Sequence, residues 1–364
     1  MEKKAPFIIA EIGTSHGGDI IKARELIIAA GEAGADCVKC QIVFADEILH
    51  PKTGNVSLPG GEIPLYNVFK SLEKDQDFYK EMKNEAEKHQ IHFLATPFGP
   101  KSAKLLKKLC PTAVKIASPE LNYTTLLKEI GSWGLPIYLS TGVSTLGDIE
   151  EALDILRKAA FKSTETSKIT LLHCVTAYPA PSEDYNLRLL PHLAGIFGTE
   201  TGISDHSLNP VLVPVLGSAM GAMVIEKHFC LSMNDPGLDD PIALEPTAFR
   251  QMYTALHDAA ALDSGHIIKA MKDEFGSELV EKTLGNGIKA LSASEKVHYG
   301  RTNRSIHALR DIKEGETITQ DMISILRTEK ILRPGLHPRW ETSVIGRKAR
   351  NFIPSGEGIT FSDI

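Results

Sequence analysis

The segment MVIEKHFCL, residues 223–231, decides how the rest of the chain is read. Met223–Ile225 is apolar, Glu226, Lys227 and His228 are ionisable, and Phe229 is apolar again. Side chains alternate along a strand, so Glu226 and His228 share one face and Lys227 takes the other. An unpaired buried charge is costly, so two ionisable groups turned to one interior need partners: each other, a metal or a substrate. The segment therefore predicts a buried strand whose end carries chemistry, with Lys227 toward outer helices or at the strand end.

Seven similar runs precede it: FIIAEIG (7–13), DCVKCQIV (36–43), IHFLAT (91–96), AVKIAS (113–118), PIYLST (136–141), ITLLHCV (169–175) and TGISD (201–205). Helical patterns lie between them. One opens at Asp19, a side chain that caps a helix start, and ends near Gly31 or Gly34. Another opens at Thr145, and a third, EPTAFRQMYTALHDAAAL, follows the eighth run. Eight βα units in about 260 residues match the ~250 of a (β/α)8 TIM barrel, and an open doubly wound sheet is the alternative. The insertion ADEILHPKTGNVSLPGGEIPLYNVFK after the second run reads as an active-site loop. The expected division is a barrel over 1–284, a polar linker over 285–300 and a β-rich tail over 301–364. In that tail IKEGETITQDMI (312–323) and IPSGEGITFSDI (353–364) are near-repeats, which predicts two strand–turn–strand units in pseudo-symmetry.

The bulk properties exclude several classes. A net charge of -6 argues against nucleic acid or an anionic membrane as the main partner. No apolar run approaches the roughly 20 residues of a membrane span. The stretch MEKKAPFIIAEIG has too short an apolar core for a signal peptide, so a cytoplasmic protein is expected. Five cysteines show no disulfide framework. Cys37 and Cys40 form a CxxC inside a predicted strand, where they point to opposite faces and read as buried small residues.

A barrel puts its chemistry at the C-terminal ends of its strands. There the chain offers Glu11; Lys39 and Gln41; Thr96; Lys115, Ser118 and Glu120; Ser140 and Thr141; Thr176 and Tyr178; Ser204, Asp205 and His206; and Glu226 with His228. His173 reads as a hydrogen-bonded core residue. Barrel lumens are ordinarily filled by Val, Ile and Leu, so a polar residue at every strand end points to catalysis. Lysines with Ser and Thr hydroxyls suit a phosphate and a carboxylate. His206 and His228, from adjacent strands, suit a divalent metal such as Mn2+, Zn2+ or Fe2+ acting as a Lewis acid. No GxGxxG or P-loop is present, which argues against a nucleotide.

At these residues the sequence resembles the sialic acid (N-acetylneuraminate) synthase family, which includes the pseudaminic and legionaminic acid synthases. The resemblance runs through IIAEIGTSHGGD, AGADCVKCQ, FLATPF, VKIASPEL, LPIYLSTGVSTL, LLHCVTAYPAP, GISDHS, IEKHF and DPGLDDPIALEP. The segments NRSIHALRDIKEGETIT, LRPGLHP and IGRKARNFIPSGEGIT resemble the antifreeze-like (SAF, β-clip) domain that ends these enzymes. The resemblance implies condensation of phosphoenolpyruvate with the open-chain aldehyde of an N-acetylated amino sugar, releasing phosphate. It implies Mn2+ or Mg2+ on His206 and His228. Lys39, Lys115, Ser118, Ser140 and Ser204 would bind the phosphate or carboxylate, with Thr96 among the substrate-binding residues. Glu11, Gln41, Glu120, Tyr178 and Asp239 would meet the sugar or the reacting centre, and Glu226 would orient a water or ligand. The resemblance further implies a domain-swapped homodimer in which Arg304 reaches the sugar in the neighbouring barrel; otherwise Arg304 pairs with a local carboxylate such as Glu295, as Arg301 is expected to do.

Three positions depart from the family pattern: Ser15-His16 for Asn-His, Thr176 for Asn, and Asp240 for His. The last two are expected near the sugar and to shift the acceptor away from N-acetylmannosamine. Other readings are a deoxy-sugar-phosphate synthase on the same barrel, against which the tail domain argues, and an inactive carbohydrate-binding homologue, against which Lys39, Lys115, His206 and His228 argue.

Overall fold

The computed structural model describes residues 4–58, 61–160 and 168–364. Met1–Lys3 of the N-terminal stretch and Pro59–Gly60 of the long loop lie outside the described residues. Eight strands follow the predicted runs: β1 Phe7–Gly13, β2 Cys37–Ile42, β3 His92–Pro97, β4 Val114–Ile116, β5 Ile137–Ser140, β6 Ile169–Cys174, β7 Glu200–Asp205 and β8 Val224–His228. They pair in parallel in the order β3-β2-β1-β8-β7-β6-β5-β4. The two end strands, β3 and β4, lie side by side. The sheet is thus a barrel with one seam, and the open doubly wound sheet is excluded.

The helices form where the sequence supplies caps and an apolar stripe. Asp19 accepts the backbone N–H of Ile21, and the helix Ile20–Glu32 buries Ala23, Leu26, Ile27 and Ala30 at helical spacing. It ends at Gly34, whose φ is +100° and whose missing Cβ lets the Tyr253 ring approach. Thr145 and Asp148 cap the helix Leu146–Ala160 reciprocally: each side chain accepts the other's backbone N–H, at 3.3 and 2.8 Å.

The pleat sorts side chains between two interiors. Cys37, Ile9, Leu94, Leu172 and Val224 form a small apolar cluster in the lumen. Cys40 instead joins the larger core between sheet and helices. The CxxC is therefore two buried residues on opposite faces, as its strand placement predicts.

The tail domain carries an antiparallel pair, β9 Arg304–Ala308 and β10 Ile323–Arg327. Its near-repeats share local conformation. Gly315 and Gly356 both take positive φ, of +78° and +96°, and each repeat ends in a 3-10 turn, Gln320–Met322 and Phe361–Asp363. The repeats meet at Ile312 and Ile353, which exchange two backbone hydrogen bonds of 2.9 Å. They are not the strand–turn–strand units expected, because each contributes isolated bridges and the sheet touches them only at Ile323.

The segment 285–300 is not a free linker. Asn186 Nδ2 donates to the Ile288 carbonyl at 2.9 Å, Lys289 Nζ to that of Thr141 at 3.1 Å, and Ser294 Oγ to Asp184 at 2.6 Å. Glu295 is buried and accepts the backbone N–H groups of Val143 and Thr176, at 2.7 and 3.0 Å. Arg301 does not pair with Glu295; it donates to the carbonyls of Glu329, Lys330 and Leu332. Pinned in this way, the segment delivers the tail domain onto its own barrel.

Candidate active site

Above the apolar lumen cluster the strands present a charged layer. Lys39 Nζ lies 2.5 Å from Glu11 Oε2 and 2.9 Å from Glu226 Oε1. Lys115 Nζ donates to Ser140 Oγ at 2.7 Å and lies 3.6 Å from Glu226 Oε1, which also accepts Ser204 Oγ at 2.9 Å. Gln41 Nε2 donates to Glu11 Oε1 at 3.1 Å. All four charged side chains are buried. Two lysines balance two glutamates, which is how the barrel tolerates them. Burial alone would raise the Glu226 carboxyl, but Lys115 and Lys39 outweigh it and hold it at about 2. Burial lowers the Lys39 ammonium to about 8 despite Glu226.

Over this layer sit the imidazoles of His206 and His228, with ring centroids 5.4 Å apart. The Tyr178 ring stacks on His206 at 4.3 Å. His206 Nδ1 contacts the Val175 carbonyl at 2.8 Å, which fixes that nitrogen as the donor and leaves Nε2 as the free lone pair. Burial, then the charge of His206, keeps His228 neutral by lowering it well below the usual histidine range. Asp239 Oδ2 stands 4.0 Å from His228 Nδ1, and burial raises its carboxyl to about 6.

These groups surround a cavity of about 200 Å³. Of the expected site residues, Glu11, Lys39, Gln41, Thr96, Lys115, Ser118, Ser140, Tyr178, Ser204, His206, Glu226, His228 and Asp239 line it. The long loop after β2 contributes Phe69, as its composition predicted, and Leu72 lines the cavity just beyond it.

Two expected residues do not line it. Glu120 is fully buried beside the cavity, and its Oε1 accepts from both Arg304, at 2.9 Å, and Arg327, at 2.7 Å. Arg304 is equally buried and also donates to the carbonyls of Glu47, Phe98 and Ile325. Within this chain it meets the barrel that precedes it, and the tethered segment before it holds the tail domain there. Two of the three family departures also lie outside the cavity lining. Asp240 is fully buried and accepts the N–H of Gly237 at 2.9 Å, so it folds a loop. Thr176 is buried outside the cavity lining. Neither adds a group to the site wall. His16 is likewise buried, its ring tilted against Phe78, and burial lowers it to about 4. His173 is the core residue expected, bonded to the Tyr185 carbonyl and lowered to about 4 by burial.

Sequence reading missed Thr14, Cys174 and Arg327, which line the cavity. Cys174 was legible, since it stands two residues after Leu172 on the lumen face of β6. Arg327 had no local signal: it arrives from β10 of the tail domain.

Among the described residues no three or more His, Cys, Asp or Glu side chains form a metal-holding group. The two imidazoles fit a metal as a partial ligand set, since burial keeps His228 neutral and a carbonyl fixes the outer nitrogen of His206. Substrate or solvent would complete the coordination.

The NeuB family model matches residues 26–268 and the SAF domain model residues 303–364. The spore coat polysaccharide biosynthesis protein SpsE of Bacillus subtilis is 34% identical over 100% of this chain and 94% of its own. Its crystal structure superposes with a TM-score of 0.79 at 33% identity, covering 100% of this chain and 96% of that one. The N,N'-diacetyllegionaminic acid synthase of Campylobacter jejuni is 34% identical over 89% of this chain and 91% of its own. A pseudaminic acid synthase of the same species is 31% identical over 99% of this chain and 97% of its own. No helix among the described residues is long and apolar enough to cross a membrane.

Proposed function

The chain belongs to the NeuB family and ends in a SAF domain, and from that premise we propose that it is a phosphoenolpyruvate-dependent nonulosonic acid synthase. Its acceptor is the open-chain aldehyde of an N-acylated amino sugar, and it works as a homodimer in the cytoplasm. The observation that carries the reading is the buried, charge-balanced group of Lys39, Lys115, Glu11 and Glu226 beneath two converging imidazoles.

Phosphoenolpyruvate brings a phosphate and a carboxylate. Lys39 and Lys115 exchange their contacts with Glu226 for these anionic oxygens, and Ser118, Ser140 and Ser204 add hydroxyl donors. Carbon 3 of the enol bonds to the aldehyde carbon, whose oxygen takes a proton. Water then adds at carbon 2, and the bond from carbon 2 to the phosphate oxygen breaks, releasing inorganic phosphate. Glu226 Oε2 has no hydrogen-bond partner among the described residues, which supports its role in orienting that water. Glu11, Gln41, Tyr178 and Asp239 supply polar contacts for the sugar. A divalent metal, Mn2+ or Mg2+, held by His206 and His228 would polarise the aldehyde carbonyl.

Phosphate release from phosphoenolpyruvate, measured across N-acetylated hexosamines and their diacetamido analogues with the product mass determined, tests the reading. No release with any acceptor would refute it. Mixing Arg304→Ala with Lys115→Ala subunits tests the arrangement of the dimer. Recovered activity assigns the tail domain to the partner's barrel, and no recovery keeps it on its own.

A further inference from the structure

β7 and β8 end together. Their ladder runs Ile225 to Ile203, Glu226 to Ser204 and Lys227 to Asp205, and Lys227 opposite Asp205 is its last rung. His206 is the next residue after β7, and His228 is the last of β8. No rung of this ladder ties His206 to His228. On the outer face of that last rung, Lys227 Nζ and Asp205 Oδ2 form an ion pair of 2.6 Å in which neither side chain is exposed at all.

The pair also grips the chain beyond His206. Asp205 Oδ1 accepts the backbone N–H of Ser207 at 2.8 Å, and Lys227 donates to the Ser207 carbonyl. The N–H of His206 itself donates to the Tyr185 hydroxyl at 2.7 Å. Both neighbours of His206 in sequence are therefore tied to the residue that precedes His228. A fully buried ion pair gains little stability over apolar residues of the same volume, so stability alone is a weak reason to keep one. A salt bridge between directly opposed strand residues does fix relative height and register.

We propose that Asp205 and Lys227 are positioning residues: behind the site, their ion pair sets the separation and orientation of the His206 and His228 imidazoles. The inference rests on the reading of these histidines as the metal-holding pair. Both lysines proposed to hold phosphoenolpyruvate, Lys39 and Lys115, stand on other strands and only Ser204 shares β7 with the clamp, so its binding is expected to depend little on the clamp.

The test is the double variant Asp205→Asn with Lys227→Met, which removes both charges and leaves no buried ion unpaired. Its melting temperature and its affinity for Mn2+ are compared with the wild type, together with kcat and the KM for phosphoenolpyruvate. The expected result is a melting temperature near that of the wild type, Mn2+ affinity lower by about tenfold to a hundredfold, a matching fall in kcat and an unchanged KM. Wild-type Mn2+ affinity and kcat in the folded double variant would overturn the proposal. If the double variant melts early, the single variant Tyr185→Phe, which frees the His206 N–H and removes the hydroxyl bonded to Asp205, takes its place with the same readouts. Wild-type protein that binds no Mn2+, with His206→Ala fully active, would instead defeat the metal reading on which the clamp depends.

Discussion

Arg304 and Glu120, 184 residues apart in the chain, meet as a buried ion pair of 2.9 Å between Nη2 and Oε1. The contact joins the first strand of the tail domain to the turn after β4. Arg304→Ala removes that guanidinium and its bonds to three backbone carbonyls. Breaking a buried pair from one side costs about 3 kcal/mol, and Arg327 still partners Glu120, so we expect a loss of that size and no more. A lower melting temperature and faster proteolysis between the domains check this. Unchanged values for both would remove Arg304 from the docking contact.

Arg327 shares the same carboxylate but also lines the cavity. Its removal should therefore be felt in binding. Arg327→Ala is expected to raise the KM for an anionic substrate by about tenfold to a hundredfold, the worth of one charge-assisted hydrogen bond. Steady-state kinetics on the pair Arg304→Ala and Arg327→Ala separate docking from binding.

Lys39 gives the site a basic limb. Burial holds its ammonium at about 8, below the ordinary 10.5. Above pH 8 the free enzyme loses the charge that binds phosphoenolpyruvate, so kcat/KM should fall about tenfold per pH unit. The stability contribution has the opposite sign. Between pH 8 and 10.5 the unfolded chain holds the proton that the folded chain has released, so this lysine makes the fold more stable there as pH rises. Activity lost without parallel unfolding is the signature. In Lys39→Arg, which does not titrate in this range, the limb should vanish.

His206→Ala and His228→Ala should each lower activity by at least about a thousandfold, the scale of a lost Lewis acid. Both rings face the cavity, so circular dichroism should show the folded protein in each. Wild-type enzyme in EDTA should fail and recover with Mn2+. Full activity in EDTA, or in either variant, would remove the metal from the reaction.

The mouth of the barrel was legible from the chain because a strand's period of two is local. Once Glu226 and His228 are on a strand, they share a face, and the same rule puts Lys39 beside Gln41 and turns Lys227 outward. Thirteen of the fifteen expected site residues line the cavity; those on strands do so for this reason, while Ser118, Tyr178, His206 and Asp239 lie beyond the strand ends.

What failed was the reading of residues whose partners are distant. Nothing near Glu120 indicates that Arg304 and Arg327 will close over it, nor does anything near Glu295 indicate that it will cap Val143 and Thr176. Asp240 and Thr176 look like sugar contacts by their place in a motif, yet neither is among the residues that line the cavity. Alternation, caps and strand ends are fixed by neighbours in sequence, so the sequence by itself determined the barrel, the tail repeats and the lumen-facing chemistry. The tertiary structure alone decided which charge meets which. A buried ion takes whatever counter-ion the fold brings within reach, and for Glu120 that partner lies 184 residues away.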